Sequence, residues 1–318
     1  MQVAMLFPGQ GSQAVGMGAD LVQSFPEARA TFARADALLG YELSGLCFAG
    51  PLATLTETRH AQPALLVHSL AVWRVLGARG VEPVLVAGHS LGEYTALVAA
   101  GVLDFDTALG IVQRRGALMF ESGVHEPGCM AAVVGLDLAA IERVCAEVRG
   151  LGVCEPANLN APDQVVISGN VEAVEAALPR LQGAGARLVK RLPVSGAFHS
   201  ALMRRAGEAL AAHLDGCVFA PARVPVLANV TAEPEQDGDK LRGLLARQIV
   251  SPVRWADSMR ALLARWRGAV LEVGAGNVLR GLLRRIEPSA HCVSLGTARD
   301  LEAWFEKNLP PGKPAGVV

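Results

Sequence analysis

The chain has 318 residues and a mass of 33.2 kDa, about twice the ~150 residues of a typical single domain, so one large domain or two smaller ones are expected. Hydrophobic residues make up 51% and charged residues 19%, with 29 basic against 30 acidic side chains, which excludes both the low hydrophobicity of a disordered chain and the basic excess of a nucleic-acid binder. Residues 1–19 carry no charge, but glycines, a proline and glutamines interrupt them and no basic start precedes them, so neither a membrane span nor an export signal is read there.

Gln2–Phe7 is a short apolar run closed by Pro8-Gly9, the pattern of a strand entering a loop. Helical patterns continue to about Leu39 and return over 61–78, where Leu65, Leu66, Leu70, Val72, Trp73 and Leu76 share a broad apolar face. Residues 83–87 form a continuous apolar run of buried-strand length. It leads into Gly88-His89-Ser90-Leu91-Gly92 and a small-residue helix that ends at Gly101. From Cys129 the rhythm changes to a strand at 130–134, a helix at 138–148, strands at 154–158 and 164–168, a helix at 171–181 and a strand at 187–192. This β-α-β-β-α-β order is the split arrangement of a ferredoxin-like unit, here inserted into the larger one. Longer helices follow, with strand-like 224–228 and 270–273 and a Pro/Gly-rich tail from Pro310. The six cysteines, Cys47, Cys129, Cys145, Cys154, Cys217 and Cys292, contain no C-x-x-C pair and read as free thiols of a reducing cytoplasm rather than as a disulfide framework.

Gly88-x-Ser90-x-Gly92 between a buried strand and a helix is the setting of a nucleophile elbow. A nucleophile at the tip of so sharp a turn needs small neighbours, because a Cβ on either flank would strike adjacent chain. The helix expected to start at Leu91 adds free N–H groups that can stabilise a developing oxyanion. A serine hydroxyl also needs a base, and the seven histidines are His60, His68, His89, His125, His199, His213 and His291. His89 adjoins Ser90, but neighbours on a tight turn point apart, and His68 and His213 lie in helical patterns that suit packing or solvation. His199 follows the last strand of the small unit in a loop of small residues and is the best candidate, although spacing alone leaves the choice open. Gly9-x-Gly11-x-x-Ala14 formally fits a dinucleotide fingerprint, but the chain stays helical through Leu39 where a second strand ending in an acid is required.

Several of these segments occur together in one family. Phe7-Pro8-Gly9-Gln10-Gly11-Ser12-Gln13, Gln62-Pro63-Ala64-Leu65, Gly88-His89-Ser90-Leu91-Gly92-Glu93-Tyr94, Gln113-Arg114-Arg115-Gly116, Gly196-Ala197-Phe198-His199-Ser200 and Glu272-Val273-Gly274-Ala275-Gly276-Asn277 resemble the malonyl-CoA:acyl-carrier-protein transacylases in order and spacing, from Phe7 to about Leu283. Gln164-Val165-Val166-Ile167-Ser168-Gly169, Asn229-Val230-Thr231-Ala232 and Gln248-Ile249-Val250-Ser251-Pro252-Val253-Arg254-Trp255 look most like the free-standing, trans-acting acyltransferases of polyketide synthases. Gly274-Ala275-Gly276 departs from the family's usual Gly-Pro-Gly, which costs that turn rigidity. The implied fold is α/β: an α/β-hydrolase-like catalytic part over 1–126 and 195–309, an inserted ferredoxin-like part over 127–194 and a flexible tail at 310–318.

The resemblance implies a ping-pong transfer in which Ser90, activated by His199, takes malonyl from malonyl-CoA and passes it to the phosphopantetheine thiol of an acyl carrier protein, for polyketide or fatty-acid synthesis. It implies an oxyanion hole from the backbone N–H groups of Gln10 and Leu91, a histidine oriented by the Gln248 carbonyl, a malonyl carboxylate held by Arg115, and acyl selection by Phe198. His89 and Glu93 are read as structural members of the motif. No metal or cofactor is called for; the partners are the carrier protein and coenzyme A thioesters, with neither nucleic acid nor membrane, and the expected state is a cytoplasmic monomer. The alternatives are an acyl-thioester hydrolase of the same fold and the malonyl transferase of a malonate decarboxylase. Charge is uneven along the chain: 13 − 8 = +5 over residues 195–285, against 7 − 10 = −3 over 1–125 and 6 − 8 = −2 over 126–194. Because such carrier proteins are acidic, the basic segment, with Arg204, Arg205, Arg254, Arg280, Arg284 and Arg285, is expected to contribute to docking.

Overall fold

Val3–Phe7 shows no polar alternation because both of its faces are covered: all five residues are buried, as a parallel strand between helical layers requires. The computed structural model describes residues 1–194 and 196–309, so the tail expected at 310–318 lies outside the described residues. Its strands, in chain order, are β1 (Gln2–Phe7), β2 (Glu82–Gly88), β3 (Gly128–Val134), β4 (Cys154–Ala161), β5 (Gln164–Asn170), β6 (Leu188–Arg191), β7 (Val226–Leu227), β8 (Pro234–Glu235), β9 (Val270–Val273) and β10 (Cys292–Leu295).

Two sheets result. The larger runs β10-β9-β1-β2-β7-β8 and is parallel except for β8, which pairs antiparallel with β7. Successive residues of a strand point to opposite faces, and β1 divides accordingly: Val3, Met5 and Phe7 pack into one apolar cluster, Ala4 and Leu6 into another. The first cluster includes the apolar face of helix Thr58–Gly77, buried at Leu65, Leu66, Leu70, Val72 and Leu76. The smaller sheet runs β4-β5-β3-β6 with every pairing antiparallel. Helices Leu138–Glu147 and Val171–Gly183 bury Ile141, Val144, Val174, Ala177 and Leu181 against it. The strands and α-helices follow one another in the β-α-β-β-α-β order read from the sequence.

Strand β4 and the turn after it meet the larger unit. Leu159 N donates to Val253 O at 2.8 Å and Val253 N donates to Ala157 O at 2.9 Å, while Arg285 reaches Asp163 at 2.8 Å.

Several details differ from the sequence reading, which also leaves β8, β10 and helix Ala298–Asn308 unread. Helices Leu43–Ala49 and Leu52–Thr56 are too short for a 3.6-residue period to show. The strand expected over 224–228 is only two residues long, Val226–Leu227. The helix after Ser90 begins at Gly92, with Leu91 as its N-cap, because the chain is still turning at Ser90. All six cysteines are free. No helix among the described residues is long and apolar enough to cross a membrane.

The glycines of the elbow are required by contact. A Cβ on Gly88 would lie 1.9 Å from the carbonyl carbon of Gly92, and one on Gly92 would lie 2.0 Å from Phe7 O. Backbone cannot move aside as a flexible side chain can, so Gly92→Ala is expected to destabilise the fold by about 3 kcal/mol or more, read as a lower denaturation midpoint at unchanged m-value. A loss under ~1 kcal/mol would show that the elbow backbone yields.

Candidate active site

Three neighbouring parallel strands end together. Phe7 pairs with Gly88, and Ala87 with Leu227, so the loops after β1, β2 and β7 share one edge of the sheet. That edge, outside the carboxyl ends of the strands, is where open α/β sheets form their sites. Ser90 sits at its tip in the left-handed region, φ 51°, a strained backbone for a residue with a Cβ. Neighbouring groups hold it there. His89 N donates to Phe7 O at 3.0 Å, Ser90 N donates to Asn229 Oδ1 at 2.7 Å, and Asn229 Nδ2 donates to Gly88 O at 2.7 Å. His89 turns away from Ser90, with Nε2 2.8 Å from Asn160 Oδ1 on β4 and its ring against Trp255.

Of the seven histidines, the structure brings His199 to Ser90. Its Nε2 lies 2.7 Å from Ser90 Oγ, and its Nδ1 lies 3.0 Å from Gln248 O and 3.2 Å from Ser251 O. Two carbonyl acceptors require Nδ1 to carry the proton, which leaves the Nε2 lone pair facing the hydroxyl. Burial, reinforced by the nearby Arg115 cation, lowers the His199 pKa to about 3, so the ring is neutral and able to accept a proton at physiological pH. The Ser251 carbonyl is an addition to the sequence reading, which named Gln248 alone.

Arg115 projects from helix Phe105–His125 and is only 1% exposed. One terminal nitrogen donates to Gln62 Oε1 at 2.7 Å; the other reaches Gln248 Oε1 at 3.0 Å and Ser90 Oγ at 3.1 Å. Its Nε has no hydrogen-bond partner among the described residues. The guanidinium is therefore braced by two neutral amides and aimed at the serine. The Gln248 side chain also donates from Nε2 to Ser90 O at 2.8 Å and to Glu93 Oε2 at 2.6 Å. A cavity of about 230 Å³ opens over Ser90, with Gln10, Leu91, Met130, Phe198 and His199 in its wall. The backbone amides of Gln10 and Leu91 have no acceptor among the described residues, so both are free to donate to an oxygen in that cavity.

Ser90, His199, Gln10, Leu91, Arg115 and Phe198 thus line one cavity, and Gln248 contacts Ser90, Arg115 and His199. The bracing roles of Gln62 and Asn229 do not follow from their motifs, although a lone glutamine at a fully buried helical position is itself a signal. Among the described residues, no group of three or more His, Cys, Asp or Glu side chains could hold a metal ion.

A serine on an elbow, faced by a histidine and flanked by two free backbone amides, has the parts that acyl transfer through a serine ester needs. The acyl transferase domain family matches residues 4–309. The malonyl CoA-acyl carrier protein transacylase of Escherichia coli K12 is 45% identical over 305 residues, covering 92% of this chain and 99% of that protein, and its Bacillus subtilis counterpart is 41% identical, covering 95% of each. Among solved structures, a malonyl-transacylase in complex with its type II PKS acyl-carrier protein superposes with a TM-score of 0.93 at 43% identity, covering 97% of this chain and all of that one. An acyl carrier protein S-malonyltransferase from Vibrio cholerae superposes with a TM-score of 0.90 at 42% identity, covering 95% and 99%. The chain belongs to the malonyl CoA-acyl carrier protein transacylase family.

Proposed function

We propose that the protein is an [acyl-carrier-protein] S-malonyltransferase that moves a malonyl group from malonyl-CoA to the phosphopantetheine thiol of an acyl carrier protein by way of an ester on Ser90. The observation that carries the reading is the buried Arg115 fork, 3.1 Å from Ser90 Oγ. A desolvated cation beside the nucleophile suits an acyl group that ends in a carboxylate, and it gives no advantage to an enzyme handling neutral acyl chains. This disfavours a hydrolase that clears neutral acyl groups. Relatives named as carrier-protein transacylases, one of them in complex with its carrier protein, support the acyl carrier protein as recipient over the acceptor of a malonate decarboxylase.

Each step balances with the groups in the site. Ser90 Oγ attacks the thioester carbonyl as its proton passes to His199 Nε2, and the oxyanion of the tetrahedral intermediate accepts from the Gln10 and Leu91 amides. The carbon–sulfur bond breaks, and the CoA sulfur leaves with the proton from His199. The carrier-protein thiol then gives its proton to His199, attacks the Ser90 ester, and the alkoxide regains the proton. The Gln248 and Ser251 carbonyls hold the ring in the tautomer that both halves need. Because a thioester is more reactive than an amide, a dyad without a carboxylate suffices, and no cofactor is required. Phe198, buried on the cavity wall, limits space beside the acyl carbon; a methyl in such a pocket is discriminated by ~1–3 kcal/mol.

Of the six arginines expected to contribute to docking, Arg254 and Arg285 are paired with Asp257 and Asp163, which leaves Arg204, Arg205, Arg280 and Arg284 as the docking set proposed here.

Intact-mass measurement tests the reading directly. Incubation with malonyl-CoA is expected to leave a malonyl adduct on Ser90 that persists until phosphopantetheinylated carrier protein is added, and Ser90→Ala is expected to acquire none. Rapid release of free malonate without carrier protein would establish a hydrolase.

A further inference from the structure

Glu93 is a buried carboxylic acid that the mechanism above does not use. It lies in helix Gly92–Ala99, one turn from the nucleophile, and is 2% exposed. Oε2 accepts from Gln248 Nε2 at 2.6 Å and Oε1 from Asn229 N at 3.3 Å. Gln248 in turn accepts from Arg115 through Oε1 at 3.0 Å, so a single amide links the carboxyl to the guanidinium. Among the described residues around Glu93, Arg115 is the cation that acts on it. Gln248, at the end of helix Gly238–Gln248, and Asn229, in the loop after β7, are neutral amides, and Tyr94 on its own helix is held neutral, its hydroxyl pushed up to about 12 chiefly by burial.

We propose that Glu93 balances the charge of Arg115 while the site is empty and takes up a proton when the malonyl carboxylate arrives. The inference rests on Arg115 as the partner of that carboxylate. An ionised Glu93 beside Arg115 makes the empty pocket neutral overall. Bringing a second carboxylate to the same guanidinium would leave a net negative charge beside two buried groups, Arg115 and Glu93, and protonating one carboxyl removes it. The malonyl carboxylate stays ionised because it receives the two-nitrogen fork directly, whereas Glu93 reaches Arg115 only through Gln248. Burial pushes the Glu93 carboxyl up to about 7, against the downward pull of Gln248, the Asn229 N–H and Arg115, so protonated and ionised forms are both accessible near neutrality. Glu93 is thus a positioning residue, acting on the substrate through Gln248 and Arg115.

The sign follows from linkage. The neutral form of Glu93, present below its pKa, is the one that admits malonyl, so malonyl-CoA use falls as pH rises through that pKa. Titrations of the CoA phosphates are common to malonyl-CoA and acetyl-CoA and cancel in a ratio. The ratio of kcat/KM for malonyl-CoA over acetyl-CoA is therefore expected to be flat below pH ~6 and to drop about fivefold or more by pH 8.5. In Glu93→Gln, which is neutral at every pH, the ratio should be flat throughout. A second measurement needs no variant: calorimetry of Ser90 loading at pH 7.5, in buffers of different ionisation enthalpy, should show more proton uptake with malonyl-CoA than with acetyl-CoA. A malonyl preference that is pH-independent in the wild type, or equal proton uptake for the two substrates, overturns the role of Glu93 and leaves malonyl transfer intact. Absence of any malonyl preference at any pH would instead remove the carboxylate assignment of Arg115.

Discussion

His199→Ala is expected to slow both loading of Ser90 by malonyl-CoA and its discharge to the carrier protein by about 10²–10⁴-fold, the range that positioned acid–base groups supply. The expectation rests on the 2.7 Å contact between Nε2 and Ser90 Oγ and on the two carbonyls that hold Nδ1. One ring serves both half-reactions, so rapid-quench measurements of acyl-enzyme formation and decay should show comparable losses. A normal loading rate would assign the base to another group. Because burial and Arg115 lower the His199 pKa to about 3, the acid limb of wild-type loading should lie far below the ordinary histidine range, with no loss from His199 protonation between pH 8 and pH 5. The ring is neutral above its pKa, so activity that depends on it is retained as pH rises and is lost only on strong acidification.

What can be read from the chain before its structure depends on how local the cause is. Gly88 and Gly92 announce the elbow because their requirement is local: each would place a Cβ within 2.0 Å of backbone, and the sequence shows the glycines directly. The six elements of the small unit are equally legible, since each is long enough for its period to show and the turns between them are marked. Leu43–Ala49 and Leu52–Thr56 are not, being too short to carry a period.

Side chains that act across the fold form a third class. Gln62 and Gln248 are 53 and 133 residues from Arg115 in sequence, and a glutamine on an apolar helical face signals burial without naming the group it meets. Their partners come from tertiary packing: helix Thr58–Gly77 lies along helix Phe105–His125, and β4 pairs with the segment around Val253 that follows Gln248. The family resemblance locates these motifs, but the direction of each amide is a property of the folded chain. The same holds for Glu93, which sequence reading treats as a structural part of the elbow and which the fold links to the substrate's charge.

Arg115→Ala carries the sharpest consequence for specificity. A charge-assisted hydrogen bond contributes about 1.5–3 kcal/mol, and a fork that offers two to the malonyl carboxylate contributes about 3–6 kcal/mol before the cost of desolvating that carboxylate is subtracted. A net ~3–4 kcal/mol corresponds to a loss of about 10²–10³ in kcat/KM for malonyl-CoA. The same substitution removes contacts to Ser90 Oγ, Gln62 and Gln248, and those losses fall on every acyl donor alike. Comparison with acetyl-CoA separates the two effects, because acetyl has nothing to offer the guanidinium; its kcat/KM should change by no more than about tenfold, so the malonyl-to-acetyl ratio should collapse. Arg115→Lys keeps the charge without the planar fork, and a point charge cannot brace against both glutamines while presenting two parallel donors to a carboxylate. It should therefore recover part of the ratio and leave loading slower than in the wild type. Equal losses with malonyl-CoA and acetyl-CoA would reduce Arg115 to a structural brace for the elbow, and the buried cation would then have no connection to the acyl group that the enzyme selects.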